Sequence, residues 1–217
     1  MDKVKLYLMP GMGAKSTIFK GLRFPPHVET VRMEWLIPQK NEPLEAYTAR
    51  LISTYDIRTG SVLLGMSFGG VIIHEISKQI PVEKLIFIST VKSNACFPPW
   101  HKWGRLLRIW NWLPYGLITQ PARTAKAVPP GKLRKRLMLY ETYMSIRSRT
   151  YFRWAMKSIL TWRSDLPQTP WIHIHGDKDR IFPFRYLKGE IFPVNGAGHL
   201  AVMTHPKKIS RILKAHL

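Results

Sequence analysis

Residues 63–72 read LLGMSFGGVI, and in this run a single hydroxyl, Ser67, sits among three glycines inside an otherwise apolar stretch. The residues before it have the apolar character of a short buried strand, and residues 69–78 behind it carry helical periodicity. A strand that passes directly into a helix has to turn sharply, which holds the residue at the apex in a strained backbone conformation. Gly65 and Gly69, two positions to either side, remove side chains that would collide across the bend. The apex side chain then projects from the sheet edge. The amide that follows it opens a helix, where negative charge is favoured. An ordinary turn serine is the alternative. The flanking strand and helix favour a nucleophile.

Outward from this point the chain alternates between apolar strands and helices. Strands are expected over 4–9, 28–36, 62–64, 85–89, 170–175 and 191–194, and helices over 43–55, 69–78 and 206–216. Nearly unbroken apolar strands separated by helices predict an α/β fold: a mostly parallel sheet of about six strands with helices on both faces. The length, 217 residues, fits a single domain over 1–217. Residues 92–165 interrupt the pattern. They hold six of the eight tryptophans and read as short helices over 103–112, 133–147 and 151–160, so they form a helical insertion between core segments 1–91 and 166–217.

A serine hydroxyl is a poor nucleophile at neutral pH unless a base takes its proton. His199 lies in the glycine-rich run NGAGHL at 195–200, after the last strand, where its ring can reach over the strand ends. His173 and His175 alternate along a strand and read as structural, as does His74 within the helix behind Ser67. The orienting carboxylate comes from the HGDKDRIFP segment at 175–183. Asp177 is placed to bond its own turn, whereas Asp179 comes later and can reach back over the sheet. Two backbone donors would complete an oxyanion site: the Phe68 amide and, from the PGMG loop at 10–13, the Met12 amide. That loop precedes Lys15-Ser16, but Met9 and Ala14 stand where a phosphate-binding loop needs glycine.

Taken in order, PGMG, GMSFGG, HGDKDRIFP and GAGHL make the chain resemble an α/β-hydrolase of the small esterase and lipase-like kind. The resemblance covers 1–91 and 166–217. It implies Ser67 as nucleophile, His199 as base, Asp179 as its partner, Met12 and Phe68 as oxyanion donors, and no metal or organic cofactor. It also implies that the insertion at 92–165 is a lid over the serine. Two features depart from the family pattern: the family's first two strands have no counterpart before residue 4, and Pro10-Gly11 replaces the usual histidine-glycine.

The formal net charge is +21, of which residues 92–165 carry about +13. Such a segment attracts nucleic acid, anionic lipid or acidic ligands. Tryptophan together with Lys and Arg on short helices suits a membrane interface, so an anionic membrane surface is one candidate partner beside a small-molecule ester, a solvated charged face being the commoner reason for such charge. Nucleic-acid binding, through the basic cluster GKLRKR at 131–136, is the less favoured alternative, as is a non-catalytic binding protein on the same scaffold. The lone Cys96 excludes an internal disulfide. No run is long enough to span a bilayer and the start lacks a secretory apolar region, so a cytoplasmic location is expected.

Overall fold

The inner strands are short and largely apolar on both faces because both faces are covered, whereas the edge strand at Val28–Arg32, VETVR, is largely open. The computed structural model describes residues 3–217. In chain order, β1 (Val4–Met9), β2 (Val28–Arg32), α1 (Leu44–Tyr55), β3 (Val62–Met66), α2 (Phe68–Ser77) and β4 (Lys84–Ile88) come first. Five helices follow: α3 (Pro99–Leu106), α4 (Tyr115–Thr119), α5 (Pro121–Lys126), α6 (Lys132–Tyr143) and α7 (Arg149–Thr161). The chain closes with β5 (Trp171–Gly176), β6 (Phe192–Val194), α8 (Ala201–Thr204) and α9 (Pro206–His216). The six strands form one parallel sheet in the order β2-β1-β3-β4-β5-β6.

Alternation along each strand sorts the core into two clusters. Tyr7, Met9, Leu63, Leu85 and Phe87 face α1, α2 and the insertion. Leu8, Leu64, Met66, Ile86 and Ile88 face α8, α9 and a 3-10 turn at Ser16–Phe19. Each fully buried Leu, Ile or Phe contributes about 1.5–3 kcal/mol through removal from water, which offsets the entropy of ordering the chain. The chain steps outward from β1 to β2 and then back across β1 to β3, with Met9 beside Gly65. Strand order therefore reverses at β1 and β3, and the loops leaving their C-terminal ends meet at the position where sheets of this kind place their ligand sites.

The turn from β3 into α2 has the predicted strain. Ser67 has φ +53° and ψ −123°, outside the regions that L-residues favour. A Cβ on Gly65 would stand closer than 3.0 Å to the backbone of Gly69 and Gly70, and one on Gly69 equally close to the backbone of Met9 and Pro10. Three backbone segments thus meet where no side chain fits. The strained residue is held from both sides, because Ser67 N–H donates to the Ile88 carbonyl (3.1 Å) and Thr90 Oγ1 donates to the Ser67 carbonyl (2.6 Å).

Several boundaries differ from those the sequence pattern predicts; the helix expected at 133–147 ends at Tyr143, where the chain turns to pair Met144 with Ala14. β2 ends at Arg32 and not at 36, since Trp35 turns inward and its indole N–H donates to the Gly11 carbonyl at 2.9 Å. The helix expected at 103–112 begins at Pro99, where a proline at the first turn loses no hydrogen bond. It stops at Leu106, ahead of Arg108 at φ +47°. The helical stretch leaves and re-enters the sheet at one neck: Asn94 N–H donates to the Ser164 carbonyl, and Ser164 N–H to Asn94 Oδ1, both at 2.9 Å. Its buried side chains, among them Trp110, Tyr151 and Trp154, belong to the same apolar cluster as α1 and α2.

Gly69→Ala is expected to cost about 2–3 kcal/mol or more by forcing backbone apart. Gly131→Ala, in extended backbone with open space around it, is expected to cost less than about 1 kcal/mol. Urea unfolding of the two variants checks the contrast.

Candidate active site

Ser67, His199 and Asp179 come from three separate strand ends and meet in one line. Ser67 stands at the C-terminal end of β3, Asp179 follows β5, and His199 lies in the loop between β6 and α8. His199 Nε2 is 2.9 Å from Ser67 Oγ, and His199 Nδ1 is 2.8 Å from Asp179 Oδ2. An ionised carboxylate only accepts, so Nδ1 carries the proton and Nε2 is free to accept from the serine hydroxyl. The ring is largely shielded, with Phe182 edge-on at 5.7 Å.

Asp179 is buried and lies in a nest of donors. Its Oδ1 accepts from the amides of Ile181 (2.8 Å) and Phe182 (3.1 Å), which curl the loop around it. Its Oδ2 faces His199 and, at 3.2 Å, His175 Nε2. Burial alone would push this carboxyl's pKa up; hydrogen bonds from His175 and His199 outweigh it and hold the group far below the usual carboxylate range. Asp177 acts on the backbone instead. Its Oδ1 accepts from Gly196 N–H at 2.7 Å and ties the loop after β5 to the loop that carries His199.

By sequence pattern His173 and His175 are structural, and Lys92 counts only toward the charge of the basic segment 92–165. The structure places all three in a buried chain that ends on Asp179. Lys92 is 0% exposed. Its Nζ lies 3.0 Å from His173 Nδ1, donates to the Lys188 carbonyl at 2.6 Å and sits 4.0 Å above the Trp171 ring. An ammonium group only donates, so His173 accepts at Nδ1 and donates from Nε2 to His175 Nδ1 at 3.1 Å. His175 in turn donates from Nε2 toward the Phe182 carbonyl (2.9 Å) and Asp179. Burial, then Lys92 and His175, drive the His173 pKa well below the ordinary histidine value, so His173 makes both of its bonds as a neutral ring. The i, i+2 spacing on β5 is the signal available in the sequence. Nothing local marks Lys92 as buried.

The loop after β1 lies against the serine. A Cβ on Gly11 would be 3.5 Å from that of Ser67. Ala14 N–H closes the turn onto the Gly11 carbonyl (2.9 Å) and Gly13 N–H donates to the Tyr151 hydroxyl (3.0 Å). Met12 N–H is committed to neither bond. Phe68 N–H, at the first turn of α2, has no helical carbonyl behind it. With Pro10-Gly11 in place of histidine-glycine, the loop is braced from outside. Trp35 donates to Gly11, and the segment between α6 and α7 clamps residues 13–15 through Ser145 N–H to the Gly13 carbonyl (2.8 Å) and Lys15 N–H to the Tyr143 carbonyl (2.6 Å). Behind it, Trp35 stacks on Phe68 with centroids 5.3 Å apart.

The remaining histidines stay away from the serine. His74 packs edge-on to Phe87 and Trp162 with Nε2 3.3 Å from Ser164 Oγ, and burial lowers its pKa to about 4. His101 stacks on Phe97. Among the described residues no cluster of three or more His, Cys, Asp or Glu is placed to hold a metal ion.

A six-stranded parallel sheet, a strained serine between its third strand and the following helix, and a histidine and an aspartate on later loops match a known pattern in the sequence as well. The profile of the alpha/beta hydrolase family fits residues 7–212, and the chain belongs to that family. Solved structures share the fold at low identity. An alpha/beta hydrolase fold protein from Burkholderia ambifaria superposes with a TM-score of 0.66 at 16% identity, over 98% of this chain and 90% of that one. A thermophilic esterase from Thermogutta terrifontis gives 0.61 at 17%, over 98% and 88%. One of a set of epoxide hydrolases from metagenomes of hot environments gives 0.68 at 15%, over 97% and 89%. No curated protein matches by sequence.

The buried lysine makes a checkable prediction. Burial lowers the Lys92 pKa from 10.5 to about 8. The unfolded chain therefore binds the extra proton between about pH 8 and 10.5, and this group's contribution to stability rises with pH across that window; below pH 8 its penalty is fully present. Relative to Lys92→Met, the wild-type unfolding free energy is expected to climb by up to about 3 kcal/mol over this range, read from urea unfolding at a series of pH values.

Proposed function

We propose that the protein is a serine hydrolase that cleaves a carboxylic ester or thioester through an acyl-enzyme intermediate. The observation that carries this reading is the line from Ser67 Oγ through His199 to Asp179, at 2.9 and 2.8 Å, with the serine on a strained turn at the start of a helix. The family contains several chemistries, and a fold alone does not choose among them. The site favours acyl transfer: its apex group is a hydroxyl with a base in contact, the arrangement that activates an alcohol toward a carbonyl.

In the first step His199 Nε2 takes the Ser67 proton as Oγ attacks the substrate carbonyl. The imidazolium is stabilised by Asp179, whose charge is secured by two amides and His175. Oxyanion charge develops beside the amides of Met12 and Phe68, each worth on the order of 100- to 1000-fold in turnover in sites of this kind. His199 then gives its proton to the leaving alcohol or thiol. Water, deprotonated by the same nitrogen, attacks the acyl-serine, and collapse of that second intermediate returns the proton to Ser67. Helices α3–α7 form the lid in this reading, with Trp154 against Phe68 at 5.9 Å, so the lid and the turn that carries Ser67 share one aromatic cluster.

A fluorophosphonate probe is expected to label the native protein at Ser67, located by peptide mapping. Ser67→Ala should abolish labelling and reduce p-nitrophenyl ester hydrolysis by about 10⁴-fold or more at unchanged stability. Asp179→Asn should lower kcat by about 10³- to 10⁴-fold, since it removes the acceptor that fixes the His199 tautomer. Native protein that resists the probe at Ser67 overturns the proposal.

A further inference from the structure

Helix α3 is inside out. On a helix packed against a core, residues at i, i+3 and i+7 share the face that is normally buried. Here Trp100, Trp103 and, at the C-cap, Leu107 share such a face and stand largely exposed, Trp100 with only Tyr186 edge-on at 5.8 Å, while His101 and Gly104 face the protein. Gly104 rests against Ile109 and Leu160, and His101 Nε2 bonds the Ile159 carbonyl at 3.1 Å. Trp103 is 63% exposed, Leu106 71% and, just beyond the helix, Trp112 82%. Large side chains concentrated in this way within one short stretch differ from the scattered exposed apolar groups of an ordinary surface.

The charge around this face has one sign. From Lys84 to Tyr140 the chain has eleven Lys and Arg and no Asp or Glu. Lys102 and Arg108 are exposed beside the apolar groups. Next to Trp112 a cavity of about 320 Å³ is lined by Asn111, Leu113, Pro114, Tyr115, Arg149 and Arg153. Arg153 donates to Asn111 Oδ1 at 2.7 Å, and among the described residues neither arginine meets a carboxylate. Two guanidinium groups on an open cavity suit a phosphate.

We propose that this face docks on an anionic phospholipid bilayer, with Trp103, Leu106 and Trp112 entering the boundary between headgroups and acyl chains while Arg149 and Arg153 take a lipid phosphate. Apolar side chains at this density, aliphatic as well as aromatic and mixed with cations, match the two layers of a bilayer surface, whereas a single-stranded nucleic acid offers phosphate and stacking faces for tryptophan but no acyl layer for Leu106. The inference does not rest on the chemistry of Ser67. It gives the insertion a second surface, on the side away from the core.

The test is co-sedimentation of the whole protein with vesicles of phosphatidylcholine alone or mixed with phosphatidylglycerol. Binding is expected to the mixed vesicles and to weaken with salt. Trp103→Gln/Leu106→Gln/Trp112→Gln, which changes no charge, is expected to weaken it by about 10-fold or more. Lys102→Glu/Arg108→Glu is expected to weaken it by a similar factor. Lys207→Glu/Lys208→Glu on α9 makes the same change in net charge elsewhere and should have a several-fold smaller effect. Thermal unfolding verifies that each variant is folded. The proposal is overturned if the native protein does not bind mixed vesicles, if the glutamine variant binds as well as wild type, if the two charge reversals weaken binding equally, or if a single-stranded oligonucleotide displaces the vesicles.

Discussion

Everything at the site depends on the close approach of three stretches of backbone, at Met9-Pro10, Gly65 and Gly69. A single Cβ at Gly65 or Gly69 would separate them. With glycine in place, β3 turns into α2 within one residue, and the cost of that turn is concentrated in the φ of +53° at Ser67. Strain of this kind persists only where surrounding structure over-determines it. Here the bonds to Ile88 and Thr90, at the end of neighbouring β4, do so. The same approach places the loop after β1 against the serine, so nucleophile and candidate oxyanion donors are set by one packing event.

The carboxylate end is built on the opposite principle, saturation with donors in place of backbone strain. Asp179 faces two amides and two imidazoles, and the chain behind it runs through His173 to a buried ammonium. Each link has a donor direction fixed by the one before it, because lysine cannot accept and an imidazole that accepts at one nitrogen donates from the other. The line from Lys92 to Asp179 thus keeps His175 oriented toward the carboxylate. A buried charge is tolerated there because a carbonyl, a ring nitrogen and an indole face all meet it.

The chain between β4 and β5 touches both halves, since Phe97 meets Phe182 of the Asp179 loop edge-on at 6.1 Å. Its α6–α7 segment braces residues 13–15, its α7 aromatics complete the cluster on Phe68, and its neck is held by Asn94 and Ser164. It therefore contributes to the shape of the site from the inside while turning a basic, tryptophan-rich surface outward.

The sheet, the elbow and the three residues that meet there are legible in the order of amino acids alone. Strand alternation, glycine at plus and minus two around Ser67, and histidine and aspartate on loops after late strands are local signals, and local chemistry is enough to read them. Strand ends are less legible: β2 stops early because Trp35 finds Gly11, a partner 24 positions away. Four features emerge only once the chain is packed: His175 reaches Asp179, Lys92 is buried beneath it, Tyr151 braces the loop after β1, and α3 presents its tryptophans to solvent. The reason is common to all four. Each depends on which side of an element meets another part of the chain far away in sequence, and the residues themselves are compatible with either side.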